Sequence, residues 1–274
     1  MYKRMKSIPI IIVVILISAG GVWFFVNRAE THVVPDSDTV LNASLLSDKQ
    51  GFAVLERDMN FVDGRKEFYV EPLTDGTYPG VVMIHEWWGL NDTMKRMARD
   101  LAGQGYKVLV VDLYNGHVAT TTDDAMKYRS LATDEETVRI LREAVQFLRE
   151  QKATKVASLG FGFGGAKSLD LAVSGEPLDA TVIYYAELNI EFEKMSLLKW
   201  PILGFFGGDD SSIPVSTVEE FKETLSTAGV LNEIYIYPGV GYAFTNPSSP
   251  EFAPNETKEA WLTMLSFLEK ILKE

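Results

Sequence analysis

The chain has 274 residues, 46% hydrophobic and 23% charged, a size and balance that suit one large α/β domain with extra pieces. It has no cysteine, which excludes disulfides, thiolate metal sites and thiol catalysis. Four basic residues and no acidic one occur up to Arg28, leaving 22 Lys and Arg against 38 Asp and Glu, a net of −16, in the remainder. Nucleic acid and anionic lipid repel such a domain, so neither is an expected partner.

Lys3, Arg4 and Lys6 precede Ile8 to Val26, a run without a charged residue. As a helix it spans roughly 28 Å, close to a hydrocarbon core. The flanking charges favour a cytoplasmic N-terminus over residues 1–7, a single-pass transmembrane anchor over 8–26, and a globular part outside the cell membrane. A cleaved signal peptide with secretion is the alternative, but Trp23-Phe24-Phe25 follows Ser18-Ala19-Gly20-Gly21 and no clear cleavage site appears. Residues 27–50, with Pro35 to Asp38 and only short apolar patches, read as a flexible tether that contains His32. Asn42, Asn91 and Asn255 each start a glycosylation-type triplet, which is compatible with export.

From Gly51 to the C-terminus the chain reads as one folded unit. Val54–Phe61 and Glu67–Val70 flank Asp63-Gly64, a hairpin signal. Val81–Ile84 is a short apolar run of the kind buried on both faces of a sheet. Asn91 or Asp92 caps a helix with Met94, Met97 and Leu101 on one face. Val108–Val111 is the next strand, and Thr121–Leu131 and Asp134–Gln151 are helices. The alternation continues with a strand at Val156–Leu159, a helix at Ala166–Val173 and strands at Thr181–Tyr184 and Ile202–Phe206. A helix at Val215–Leu225, a strand at Glu233–Tyr237 and an amphipathic helix at Glu256–Leu272 close the chain. That order predicts a mostly parallel sheet with helices on both faces, and ligands at the carboxyl ends of its strands.

The loops at those ends carry the chemical signals. Leu159-Gly160-Phe161-Gly162-Phe163-Gly164-Gly165, between a strand and a helix, has the layout of a nucleophile elbow with glycine at the nucleophile position. Glycine offers no attacking atom. The motifs around it come in a set: Tyr78 to Glu86 with Gly89-Leu90-Asn91, Asp112-Leu113-Tyr114 with Ala119-Thr120-Thr121, Phe206 to Asp210 with Ile213-Pro214, and Tyr237 to Phe244. In this order, from about Val54 to the C-terminus, they resemble the dienelactone hydrolase family of the α/β-hydrolase fold.

That resemblance implies a Cys, His and Asp triad with a nearby glutamate. Its nucleophile falls on Gly162, its histidine on Tyr242, its acid on Asp210 and its glutamate on Glu86. It implies oxyanion donors at the backbone of Trp87 and Phe163, able to hold a carbonyl or carboxylate oxygen of a small-molecule ligand. Trp88 is expected to line the same pocket. Tyr242 is expected to fill the histidine's space without shuttling protons, and its hydroxyl to pair with Asp210.

Three functional readings stay open. In the first, the domain is hydrolase by family but binds its ligand without the covalent triad mechanism. In the second, an ester or lactone hydrolase uses Glu86 or His117 to activate water. The third is a non-catalytic interaction domain. His85 is read as a structural hydrogen-bonding group. Asp209-Asp210 with Glu86 reads as a turn cap and triad acid rather than a metal site, and the sequence calls for no cofactor and fixes no oligomeric state.

Overall fold

The computed structural model of the chain describes residues 51–61, 63–189 and 192–274, and the backbone of 12–18, 21–27 and 32–34. Ile12–Ser18 (β1) and Gly21–Asn27 (β2) pair antiparallel, with Ile12 opposite Asn27 and Ser18 opposite Gly21. The anchor expected over 8–26 is therefore strand wherever it is described, and its other residues lie outside the described residues. Both strands are dense in Ile, Val and aromatic residues, which fit a pleated ribbon as well as they fit an apolar helix. Among the described residues no helix is long and apolar enough to cross a membrane.

Among the described residues the main sheet has nine strands. They are His32–Val34 (β3), Val54–Asn60 (β4), Lys66–Pro72 (β5), Gly80–Ile84 (β6), Lys107–Val111 (β7), Val156–Phe161 (β8), Ala180–Tyr184 (β9), Ile202–Gly207 (β10) and Asn232–Tyr237 (β11). Their spatial order is β11-β10-β9-β8-β6-β7-β5-β4-β3. The six strands from β7 to β11 run parallel, and β5, β4 and β3 are added antiparallel at one edge. The three residues of β3 come from the stretch expected as tether; their backbone joins the sheet beside β4.

Alternation along β6 explains why that run is continuous in apolar residues. Val81 and Met83 face one core, with Met94, Ala98 and Leu101 of α1 (Asp92–Gly103) and Trp261 and Met264 of α7 (Pro254–Leu272). Val82 and Ile84 face the other, with Ile140, Leu141 and Leu148 of α3 (Asp134–Glu150). Both faces are covered, as a parallel sheet requires. Asn91 caps α1, its side chain accepting the Met94 N–H at 3.1 Å.

The remaining helices are α2 (Thr122–Leu131), α4 (Phe163–Val173), α5 (Phe192–Met195) and α6 (Val215–Thr227). Two boundaries differ from expectation at the point that matters. β8 runs on to Phe161 and α4 already begins at Phe163, so one residue, Gly162, makes the whole connection. The short α5 carries too few residues for a 3.6 period to show in sequence.

Candidate active site

Strand, single residue, helix is a turn that leaves no room for side chains. A methyl on Gly160 would run into the Gly164 carbonyl, and one on Gly164 into the Ile84 and His85 carbonyls. Gly165 abuts the Ala186 methyl at 2.8 Å from where its own would stand. These three glycines let α4 sit directly against β8 and β6. Gly162 itself has φ 52° and ψ −112°, outside the range side-chain-bearing residues adopt freely. Its N–H donates to the Tyr184 carbonyl at 2.9 Å and its own carbonyl accepts from Ala166 at 3.1 Å. No side chain caps α4, so its first-turn N–H groups, Phe163 among them, are left for another acceptor.

Tyr242 closes over this turn. A Cβ on Gly162 would lie 2.5 Å from the Tyr242 hydroxyl, with the Tyr185 ring edge at 3.7 Å. The Tyr185 and Tyr242 rings meet edge-on at 5.3 Å. Burial holds the Tyr242 phenol protonated well above its ordinary range, and the negative charges of Glu86, Glu187 and Asp210 add to this.

Tyr242 makes no hydrogen bond to Asp210, contrary to expectation. Asp210 instead accepts the N–H groups of Ser212 at 2.7 Å and Ile213 at 3.0 Å through Oδ1. Its other oxygen is buried and has no partner among the described residues. The reason is reach: the phenol extends to the space above Gly162, while the carboxylate turns back on its own loop.

Glu86 has the opposite character. It is partly buried, and each carboxylate oxygen accepts one hydrogen bond: Oε1 from the Tyr185 hydroxyl at 2.7 Å and Oε2 from the Asn246 amide at 2.6 Å. Burial raises its pKa above the usual carboxylate range, and these two hydrogen bonds work against that rise. The Tyr185 hydroxyl also meets Thr245 Oγ1 at 2.7 Å. Tyr185 has φ 38°, a left-handed conformation uncommon for an aromatic residue, and its N–H donates to the Phe205 carbonyl at 2.7 Å.

His85 is fully buried and structural in its contacts. Its Nδ1 lies 2.5 Å from the Glu86 carbonyl, and Nε2 accepts the Leu113 N–H at 3.1 Å. That pairing requires the proton on Nδ1, and burial lowers the pKa so the ring stays neutral. It ties the loop after β6 to the loop after β7.

The expected pocket is divided in two. One hollow of about 440 Å³ is lined by Trp87, Phe163, Tyr242, Arg129, Glu187 and residues of the Asn189 and Ser212–Thr217 loops. The other, of about 360 Å³, is lined by Glu86, Trp88, Met94, Met97, Phe161, Tyr185 and neighbours. The two share no lining residue, and Gly162 and Asp210 line neither. Trp88 thus lines the hollow of Glu86, while Trp87, whose ring lies 5.0 Å from that of Trp88, lines the other with Phe163 and Tyr242. His117 belongs to neither hollow: it is exposed, stacked on Tyr128 at 4.8 Å, beside a smaller recess with Asp112 and Lys95. Among the described residues no three His, Asp or Glu side chains stand together as a metal site. Tyr185, Thr245 and Asn246 belong to no catalytic motif in the sequence, although each lies in a loop at the carboxyl end of a strand, where ligand groups are expected.

Comparison with known proteins agrees with this architecture. The family model described as "Dienelactone hydrolase family" matches residues 67–272. A protein of Saccharolobus solfataricus named "Putative carboxymethylenebutenolidase" is 27% identical over 238 residues, 70% of this chain and 90% of that protein. "Protein usf" of Aquifex pyrophilus is 30% identical over 208 residues, 71% of this chain and 89% of that protein. A Klebsiella pneumoniae structure described as "Putative Dienelactone Hydrolase" superposes with a TM-score of 0.73 at 24% identity, covering 80% of this chain and 99% of that one. At that identity the likeness is one of fold. The chain belongs to the dienelactone hydrolase family, and its domain has the α/β-hydrolase fold with a mostly parallel sheet.

Proposed function

We propose that this hydrolase-family domain does not work by the family's covalent triad mechanism and instead holds a small carbonyl- or carboxylate-bearing ligand over the elbow. The single observation that carries this reading is the Tyr242 hydroxyl standing 2.5 Å from the place of a Gly162 Cβ. One side chain occupies the space in which a nucleophile would have to project. The uncapped first turn of α4 and the aromatic walls Trp87, Phe163 and Tyr242 supply donors and contact area for an oxygen-bearing ligand. Asp210, with one buried oxygen unpartnered, fits the acid position of a triad whose histidine position is held by Tyr242.

Ester and lactone turnover by the purified full-length chain tests this. The expected result is no turnover above the buffer blank for the wild type or for Gly162→Cys alone. Gly162→Cys with Tyr242→His should hydrolyse, because only the pair supplies both a thiol and room for it. Wild-type turnover that Glu86→Gln abolishes would overturn the proposal. It would favour the second reading, water activated by Glu86, which the raised pKa of that buried carboxylate supports. The exposed position of His117 argues against it as a replacement base.

The proposal includes a membrane anchor over residues 8–26, with the domain outside. In hydrocarbon a two-stranded ribbon leaves both edges unpaired, whereas a helix satisfies its own backbone, so the uncharged run from Ile8 to Val26 would cross as a helix. Carbonate-resistant membrane association and digestion of the domain by external protease are expected. A mature chain lacking residues 1–26 would show signal cleavage instead.

A further inference from the structure

The hollow on the Glu86 side has a chemistry distinct from that of the elbow side. Its apolar walls are Trp88, Met94, Met97 and Phe161, and among the described residues its only ionisable lining groups are Glu86 and Tyr185. No lysine, arginine or histidine among the described residues lines it, so an entering anion would meet a carboxylate and no counter-charge from them. Glu86 accepts one hydrogen bond at each oxygen, from Tyr185 and Asn246. A carboxylate oxygen has two lone pairs, so each keeps a second acceptor site. An indole face and two thioethers attract both a cation and a hydrocarbon chain. The volume of about 360 Å³ is at the small-molecule end of ligand sites.

We propose that this hollow binds a small aliphatic ammonium, its charged head on Glu86 and its hydrocarbon against Trp88, Met94 and Met97. The proposal rests on this lining and not on the state of the elbow. Burial without a cation penalises the Glu86 carboxylate, and a bound ammonium supplies the missing counter-charge. The net charge of −16 beyond Arg28 raises the local concentration of cations and lowers that of anions.

The test uses the detergent-solubilised full-length chain and two isosteric probes that carry neither a carbonyl nor a carboxylate: n-butylammonium and 1-butanol. Affinities are compared by saturation-transfer NMR. The ammonium should bind about tenfold more tightly than the alcohol, a difference of the size expected for one counter-charge with a cation–π contact. Glu86→Gln should erase the preference of ammonium over alcohol, and Trp88→Leu should weaken both. Should Glu86→Gln fail to fold, the wild-type series still decides. Equal binding of alcohol and ammonium, tighter binding of the alcohol, no binding of either probe, or a preference that survives Glu86→Gln would each overturn the proposal. Turnover at the elbow changes none of these outcomes, so the two proposals fail separately.

Discussion

The two sides of the crevice are held in place by different forces. At the elbow the close neighbours of Gly160 and Gly164 are backbone carbonyls, and the requirement they impose is steric. At Glu86 the close neighbours are side-chain donors, Tyr185 and Asn246, and the requirement is electrostatic. A steric requirement can persist whether or not a reaction is run, because it keeps α4 against the sheet. A buried carboxylate with a raised pKa has no such packing role, and each donor that holds it is a cost if left unpaired. The elbow is thus explained by the fold, whereas Glu86 is the group on which the proposed ammonium site rests.

The sharpest way to break this comparison is to add a methyl to the elbow. Gly160→Ala should destabilise the domain by about 3 kcal/mol or more, since only backbone can move aside. An unchanged urea midpoint would show that the elbow is looser than its contacts require. Gly162→Ala should cost about 1–3 kcal/mol for its backbone conformation and its clash with the Tyr242 hydroxyl. In a Tyr242→Phe background the cost should fall by about 1 kcal/mol, a coupling read from the double-mutant cycle. Equal costs in both backgrounds would mean that the phenol yields freely.

The electrostatic kind of support should respond to pH, and Glu67 offers the cleanest case. It accepts the Asp112 N–H at 2.6 Å and the Arg65 guanidinium at 2.5 Å, anchoring the loop that His85 also grips. Burial pushes its pKa up to about 8, outweighing the attraction of Arg65. The folded state then binds a proton more tightly than the unfolded one. Its contribution is fully present below pH 4.5 and is lost as pH rises toward 8. The denaturation midpoint of Glu67→Gln, compared with wild type across that window, should lack this decline; parallel curves would refute it. The smallest effect is expected at Arg129→Ala. Its bond to both Glu187 oxygens at 2.9 Å is exposed to solvent and worth less than about 1 kcal/mol in a thermal or urea scan.

Much of this was legible in sequence. The alternation of strand-like runs and amphipathic helices marked every strand of the parallel sheet, and in all but the edge strand β11, whose burial alternates, burial on both faces demands nearly continuous apolar residues. The glycines of the elbow were visible as a spacing, and Glu86, Asp210 and Tyr242 as members of ordered motifs. Residues 8–26 were ambiguous for a physical reason: an uncharged run rich in Ile and Val satisfies the length rule for a span and the propensity for a strand alike.

The amino-acid sequence by itself determined the layers of the fold, the loops at the carboxyl ends of the strands, and that no thiol or hydroxyl stands at position 162. Those follow from local pattern and residue identity. Only the tertiary structure decided that the Tyr242 hydroxyl lies over Gly162, that Asp210 turns back on its own loop, and that Glu86 is held by Tyr185 and Asn246, 99 and 160 residues away in sequence. Such contacts depend on reach and direction in three dimensions, and no periodicity along the chain encodes them.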